Sequence, residues 1–168
     1  MIEPLSAYLR KYLHDEKALA KSLTGPVLLI EPKVEEPDGE SSEHRFRTQS
    51  GVNELPAESG EPLVVLVKKQ ASNAFQTRIT VGRTTNNDVM LDDASVSRFH
   101  AWLEHEEGGW MVADAGSKNG TYLNGQKLKP KKLVPLTLDA RLKFGDVPAS
   151  FLSSKSLIAL LKKQVGDA

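Results

Sequence analysis

Cysteine is absent from the 168 residues, which removes disulfides, thiolate nucleophiles and cysteine-based zinc sites together. No apolar run approaches the ~20 residues that a membrane-spanning helix needs. The opening MIEPLSAYLRKYLHDE also lacks the apolar core of a signal peptide. The expectation is a cytoplasmic chain with no membrane segment. None of the four histidines, His14, His44, His100 and His105, has a partner at a metal-ligand spacing such as His-x-x-x-His on one helix. No metal and no other cofactor is expected. A net charge is missing too, with 22 basic and 22 acidic residues. Without a strong basic stripe, nucleic acid is not an expected partner.

What charge there is lies unevenly. Residues 1–61 carry 7 basic against 12 acidic side chains, net −5, whereas residues 62–152 carry 12 against 9, net +3. The last stretch, 153–168, carries 3 against 1, net +2. An acidic leader ahead of a mildly basic core is compatible with an anionic ligand. The hydrophobic content of 39% suits one globular domain of about 100 residues with appendages.

Four regions follow from the patterning. In residues 1–30, Leu5, Tyr8, Leu9, Tyr12, Leu13, Leu19 and Leu23 recur largely at three- and four-residue steps, which predicts one amphipathic helix over 4–24. Pro4 suits its first turn and Gly25-Pro26 its end. The run VLLI at 27–30 reads as a short strand or a segment packed on a neighbour. Residues 31–61 are rich in Pro, Glu, Ser and Gly with few aliphatics, and read as a disordered linker. Residues 62–152 break into short strand-like runs such as LVVLVKK, TRITVGR, HAWLEHE, WMVADA and RLKFG, separated by turn signals at Gly108-Gly109 and Asn124-Gly125. Many short strands with no helix-length segment between them predict an all-β sandwich or barrel. Pro148 predicts an edge position or a bulge in the last strand. Residues 153–168 read as a C-terminal helix capped by Ser153 or Ser154 and stopped by Gly166. Its apolar face of Leu157, Ile158, Leu160, Leu161 and Val165 is expected to dock within the molecule, since a lone helix this short is marginal in water.

The stretch SVSRFHAWLEHEEGGWMVADAGSKNGTYLNG, 95–125, carries the chemistry. Ser97 and His100 invite a nucleophile and base, with Asp114 as an imaginable third member. However, Ser97 does not stand on the Gly-x-Ser-x-Gly elbow that strains and exposes a catalytic serine. A binding reading uses more of the residues. Arg83, at the end of VGR, offers a planar fork of donors matched to phosphate oxygens. Ser97 adds a hydroxyl, Arg98 a second guanidinium and Lys118 an ammonium. Asn119 has an amide that both donates and accepts, as reading a peptide backbone requires. Gly120 frees the chain for a tight turn.

These motifs, GR at 82–83, SRFH at 97–100, SKNGT at 117–121 and NG at 124–125, resemble the forkhead-associated (FHA) domain family over 63–152. The resemblance implies a β-sandwich of about eleven strands that binds phosphothreonine peptides through loops at one end. It implies that Arg83 and Ser97 hold the phosphate and that Asn119 fixes the peptide main chain. Arg98 and Lys118 follow as secondary contacts, and His100, Gly82 and Gly120 as structural support. One departure is Asp139-Ala140, where the family often has Gly-Asp. The implied protein is an adaptor in Ser/Thr kinase signalling, with a phosphothreonine protein, a kinase or its substrate as partner, and no catalytic residues. The rival readings are a phosphate-independent scaffold on the same sandwich and a small Ser97/His100 hydrolase. Docking or self-association is expected of the N-terminal helix. Thr48, the only threonine in 31–61, stands between arginines in RFRTQSG and is a candidate kinase target for capture by the chain's own site.

Overall fold

The computed structural model describes residues 2–32, 61–69, 75 and 77–166. Most of the expected linker and Thr48 lie outside the described residues. Two β-sheets face each other, so the fold is the β-sandwich that the strand pattern predicts. The larger sheet holds seven strands in the order β1 (Ile2–Pro4), β3 (Leu63–Leu66), β2 (Val27–Ile30), β12 (Val147–Leu152), β11 (Ala140–Phe144), β8 (Thr121–Leu123) and β9 (Gln126–Lys127). The smaller sheet runs β10 (Val134–Leu136), β7 (Gly109–Asp114), β6 (Ala101–Glu106), β4 (Ile79–Gly82) and β5 (Val89–Met90). All pairings within the sheets are antiparallel except β4 with β5.

Alternation places the core. In β11, Ala140, Leu142 and Phe144 are buried while Arg141 and Lys143 are exposed, the period-2 signature of a strand with one wet face. In β6, Ala101 and Leu103 enter the core with Val81, Val112, Phe144 and Phe151. Trp102 faces the other way and is covered by the Arg78 guanidinium, 4.4 Å from its ring centre. The Asn124-Gly125 turn between β8 and β9 has φ of 50° and 87°, the left-handed pair that such a two-residue hairpin needs. At the β6–β7 hairpin the turn falls on Glu107-Gly108 instead, with Glu106 opposite Gly109, and only Gly109 takes a positive φ.

The N-terminal segment differs from its prediction in two ways. Instead of one helix there are two, α1 (Leu5–His14) and α2 (Glu16–Ser22), broken at Asp15. Asp15 is extended, and its carboxylate accepts a hydrogen bond from Ala18 N at 3.1 Å, capping the second helix. Helical spacing of the leucines survives this break, which is why periodicity alone does not reveal it. In addition, residues 1–30 are not a purely helical appendage, because β2 sits inside the larger sheet between β3 and β12. The run VLLI is buried on both faces. Leu28 and Ile30 point into the sandwich core, and Val27 and Leu29 point toward the helices.

The C-terminal helix α3 (Ser154–Gly166) starts from Ser153, whose hydroxyl accepts from Ser156 N at 3.0 Å. It docks within the molecule as expected. Leu157 and Leu161 are fully buried against Leu5, Tyr8, Leu19, Val27, Leu29 and Val64. No helix of the described residues is long and apolar enough to cross a membrane. Pro148 is not on an edge strand, since β12 has β11 on one side and β2 on the other. The β2 register ends at Ile30 opposite Ala149; one residue further Glu31 N donates to Pro148 O at 2.9 Å, and proline has no N–H to return the paired bond, so the ladder stops there.

Candidate functional site

The loops at one end of the sandwich are tied to one another by hydrogen bonds that run mainly from side chain to backbone. After β4, Arg83 N donates to Ser97 O at 3.0 Å, which joins the first loop to the second. Asn87, buried, reinforces this junction. Its amide donates to Arg98 O at 2.7 Å and to Thr84 O at 3.0 Å. Gly82 is obligatory here, because a Cβ would lie 2.1 Å from Arg98 O. The second and third loops meet where Lys118 N donates to Ser97 Oγ at 3.0 Å and Asn119 Nδ2 donates to Ser95 O at 2.8 Å. Ser95 Oγ accepts from Asp146 N at 2.9 Å and so ties in the β11–β12 turn.

The third loop is folded around one carboxylate. Asp114, at the end of β7 and buried, accepts from Gly116 N, Ser117 N, Ser117 Oγ and Thr121 Oγ1. Ser117 Oγ in turn accepts from Gly120 N at 2.9 Å. Burial pushes the Asp114 carboxyl up, but these hydrogen bonds outweigh it and hold it below the ordinary carboxylate value. The turn requires a left-handed residue at Gly120, where φ is +88°.

His100 is completely buried, and both ring nitrogens are occupied. Nδ1 accepts from Ser97 N at 3.0 Å, and Nε2 lies 2.8 Å from Gly120 O. The accepting Nδ1 fixes the neutral tautomer with its proton on Nε2, donated to that carbonyl. Burial lowers the imidazole pKa from 6.5, against the raising effects of the Gly120 carbonyl and the Asp114 charge. Neither nitrogen is available to the Ser97 hydroxyl, so the suggested dyad is not formed. Asp114, imagined as the third member, is committed to the 116–121 loop instead.

The remaining side chains surround this framework. Arg98, Lys118 and Asn119 are exposed, and Arg83 and Ser97 are half-buried. Among the described residues, the Arg83 guanidinium makes no ion pair, unlike Arg78 with Glu104 at 3.1 Å or Arg141 with Glu31 at 2.9 Å. Three residues that organise the site, Asn87, Ser95 and Asp114, were not singled out for this role by the sequence. Asp114 alone had a readable signal, an aspartate two and three residues before the N–H groups it accepts from, in DAGS.

The family model for the FHA domain matches residues 79–145, from β4 to the turn after β11. An oxoglutarate dehydrogenase inhibitor of Corynebacterium jeikeium is 33% identical over 117 residues, which are 68% of this chain and 78% of that protein. The chain belongs to the FHA domain family. An oxoglutarate dehydrogenase inhibitor of Corynebacterium glutamicum is 41% identical, over 51% of this chain and 61% of its own length. The glycogen accumulation regulator GarA of Mycolicibacterium smegmatis is 43% identical, over 45% of this chain and 49% of its own length. The match thus spans about half to three-fifths of those two relatives. Among solved structures, the FHA domain of an Arabidopsis thaliana hypothetical protein is 27% identical with a TM-score of 0.47, covering 78% of this chain and 86% of that one. The N-terminal FHA domain of S. cerevisiae Rad53p, in complex with a phosphothreonine peptide, is 20% identical with a TM-score of 0.46, covering 58% and 89%.

Proposed function

We propose that this FHA protein is an adaptor that binds phosphothreonine peptides at the loop end of its sandwich, with Arg83, Ser97 and Asn119 as the principal contacts. The observation that carries the reading is the Ser97 hydroxyl. Its oxygen already accepts from Lys118 N, so its own proton is left to donate outward to an anion. Arg83 is joined to Ser97 through the backbone and brings a cation with no internal partner among the described residues. A phosphothreonine carries about −1.5 to −2 charges and several strong acceptor oxygens. Charge-assisted bonds from a guanidinium and a hydroxyl match it. Asn119 spends one amide proton on Ser95 O, which orients the side chain and leaves a second donor and the Oδ1 acceptor for a peptide backbone. Arg98 and Lys118 add positive charge at the rim. Because the three loops are cross-linked before any ligand arrives, little ordering entropy is lost on binding.

The expected partner is a phosphothreonine protein, a Ser/Thr kinase or its substrate. Relatives named for inhibiting oxoglutarate dehydrogenase and for regulating glycogen accumulation suit an adaptor that acts on other proteins. The deciding experiment is calorimetric titration with a phosphothreonine peptide and its unphosphorylated twin. Wild type is expected to bind only the former, and Arg83→Ala is expected to lose about a hundredfold or more, as removal of a charged partner of a desolvated ion does. Equal affinity of the two peptides would instead support the phosphate-independent scaffold, and an Arg83→Ala variant that binds like wild type would remove the assignment.

A further inference from the structure

From Ala115 to Leu138 the chain has no acidic residue and five lysines: Lys118, Lys127, Lys129, Lys131 and Lys132. Among the described residues, none of these has a carboxylate partner, whereas Lys11 pairs with Glu3 and Lys69 with Asp88. Unpaired like charges on one short segment repel each other, and an anionic ligand relieves that repulsion. Two of the five are also placed. The stem of Lys127 lies across Gly120, its Cε 2.7 Å and its Cγ and Cδ 3.5 Å from where a Cβ of that glycine would be. Lys131 Cε lies 3.9 Å from the corresponding position at Gly116. The two lysines therefore stand against the glycines that begin and end the loop carrying Lys118 and Asn119.

Lys131 is also held in an unusual backbone state. Its φ is +61°, a region that a lysine rarely adopts. It is pinned there by a hydrogen bond from its N–H to Asp114 O at 2.6 Å, next to a bridge between Asp114 and Pro130. Asp114 thus organises the 116–121 loop with its carboxylate and the lysine segment with its carbonyl. Strained backbone of this kind marks functional positions when the surroundings enforce it.

We propose that Lys127 and Lys131 form a second anion subsite flanking the 116–120 loop, which takes an acidic side chain or a second phosphate of the phosphothreonine-bearing partner. The proposal rests on the phosphothreonine reading of the adjacent site. It makes the preferred ligand a phosphothreonine peptide with a second anionic group, not an isolated phosphothreonine in neutral sequence.

The test is calorimetry on the full chain with three peptides sharing one phosphothreonine: uncharged flanks, Asp/Glu flanks, and a second phosphothreonine. Wild type is expected to favour one or both anionic peptides by about three- to tenfold, the range for one or two exposed ion pairs. Whichever gains more identifies the source of the second anion. In K127Q/K131Q the preference should shrink to within about twofold, while affinity for the uncharged-flank peptide stays within about twofold of wild type. The matched variant K129Q/K132Q removes the same charge from lysines that are not the nearest neighbours of the two loop glycines, and should keep most of the preference. No preference in wild type, or a preference that survives in K127Q/K131Q, overturns the subsite. So does equal erosion by K129Q/K132Q, which would indicate a diffuse field. The underlying reading fails separately: an unphosphorylated acidic peptide binding as tightly as its phosphorylated twin removes the phosphothreonine assignment, yet upholds the lysine subsite if K127Q/K131Q abolishes that binding.

Discussion

The outer face of the seven-stranded sheet and the loop end of the sandwich are closed by different physics. On the sheet face, α1 and α3 bury Leu5, Tyr8, Leu157 and Leu161 over Val27, Leu29 and Val64. That stabilisation is non-directional and scales with apolar area, on the order of 1.5–3 kcal/mol for each fully buried large side chain. At the loop end the buried groups are polar: His100, Asp114, Thr121 and Asn87. Each hydrogen bond there adds little net stability, but a broken one leaves a buried group unsatisfied and costs more than the bond contributed. Among the described residues, no buried side-chain nitrogen or oxygen lacks a partner. Apolar packing therefore supplies stability on one side, and hydrogen bonds supply geometry on the other. The proposed function would draw on the second, because a phosphate is recognised by where donors point.

The sharpest way to break this comparison is to remove packing and look for an effect on recognition. Leu157→Ala empties a fully buried position between α3, α1 and the sheet. Urea denaturation should show a loss of about 2–5 kcal/mol, with phosphopeptide affinity unchanged in the protein that remains folded. An affinity loss parallel to the stability loss would mean that the helices and the loop end are coupled, and the division drawn above would fail. Asp114→Asn is the opposite probe. It keeps the volume but gives one oxygen's place to an amide that cannot accept from the loop's donors. The expected stability loss is smaller, about 1–3 kcal/mol. The affinity loss should exceed what that destabilisation explains, since the loop bearing Lys118 and Asn119 loses its centre. Retained peptide affinity in this variant would show that the loop holds its shape without the carboxylate.

The same division decides what could be read from the sequence. The sandwich was legible because its strands alternate, as ARLKF does, and because Asn124-Gly125 is a local turn signal that needs no tertiary partner. The motif residues were legible because they occur as contiguous strings, GR, SRFH and SKNGT. What escaped depended on contacts between distant positions. Asn87 matters through Arg98 O and Ser95 through Asn119 and Asp146, and no local pattern encodes a partner 11, 24 or 51 residues away. The double role of VLLI escaped for the same reason, since a continuous apolar run fits any element covered on both sides. The break at Asp15 was hidden by leucine spacing that two short helices satisfy as well as one long helix.

The smallest effect sharpens the comparison from inside the polar end. His100 is buried neutral, with its pKa below the ordinary 6.5. Between the folded and the unfolded pKa the unfolded chain binds the extra proton, so stability rises with pH through that window and falls as pH drops below about 6.5. Chemical denaturation at about pH 7.5 and about pH 5.5 should give lower stability at the acid end, with His100→Gln flattening that part of the difference. Acid from this source does not touch the apolar face directly, because Leu157 and Leu161 carry no titrating group. Near the midpoint, therefore, loosening should appear first as faster amide exchange at Ser97, whose N–H the imidazole holds, and only later in α3. Equal acid sensitivity of both regions would mean that they open as one unit. Imidazole nitrogen shifts that stay in the Nε2–H neutral form down to the unfolding midpoint would confirm that the folded protein resists the proton until the loop end gives way.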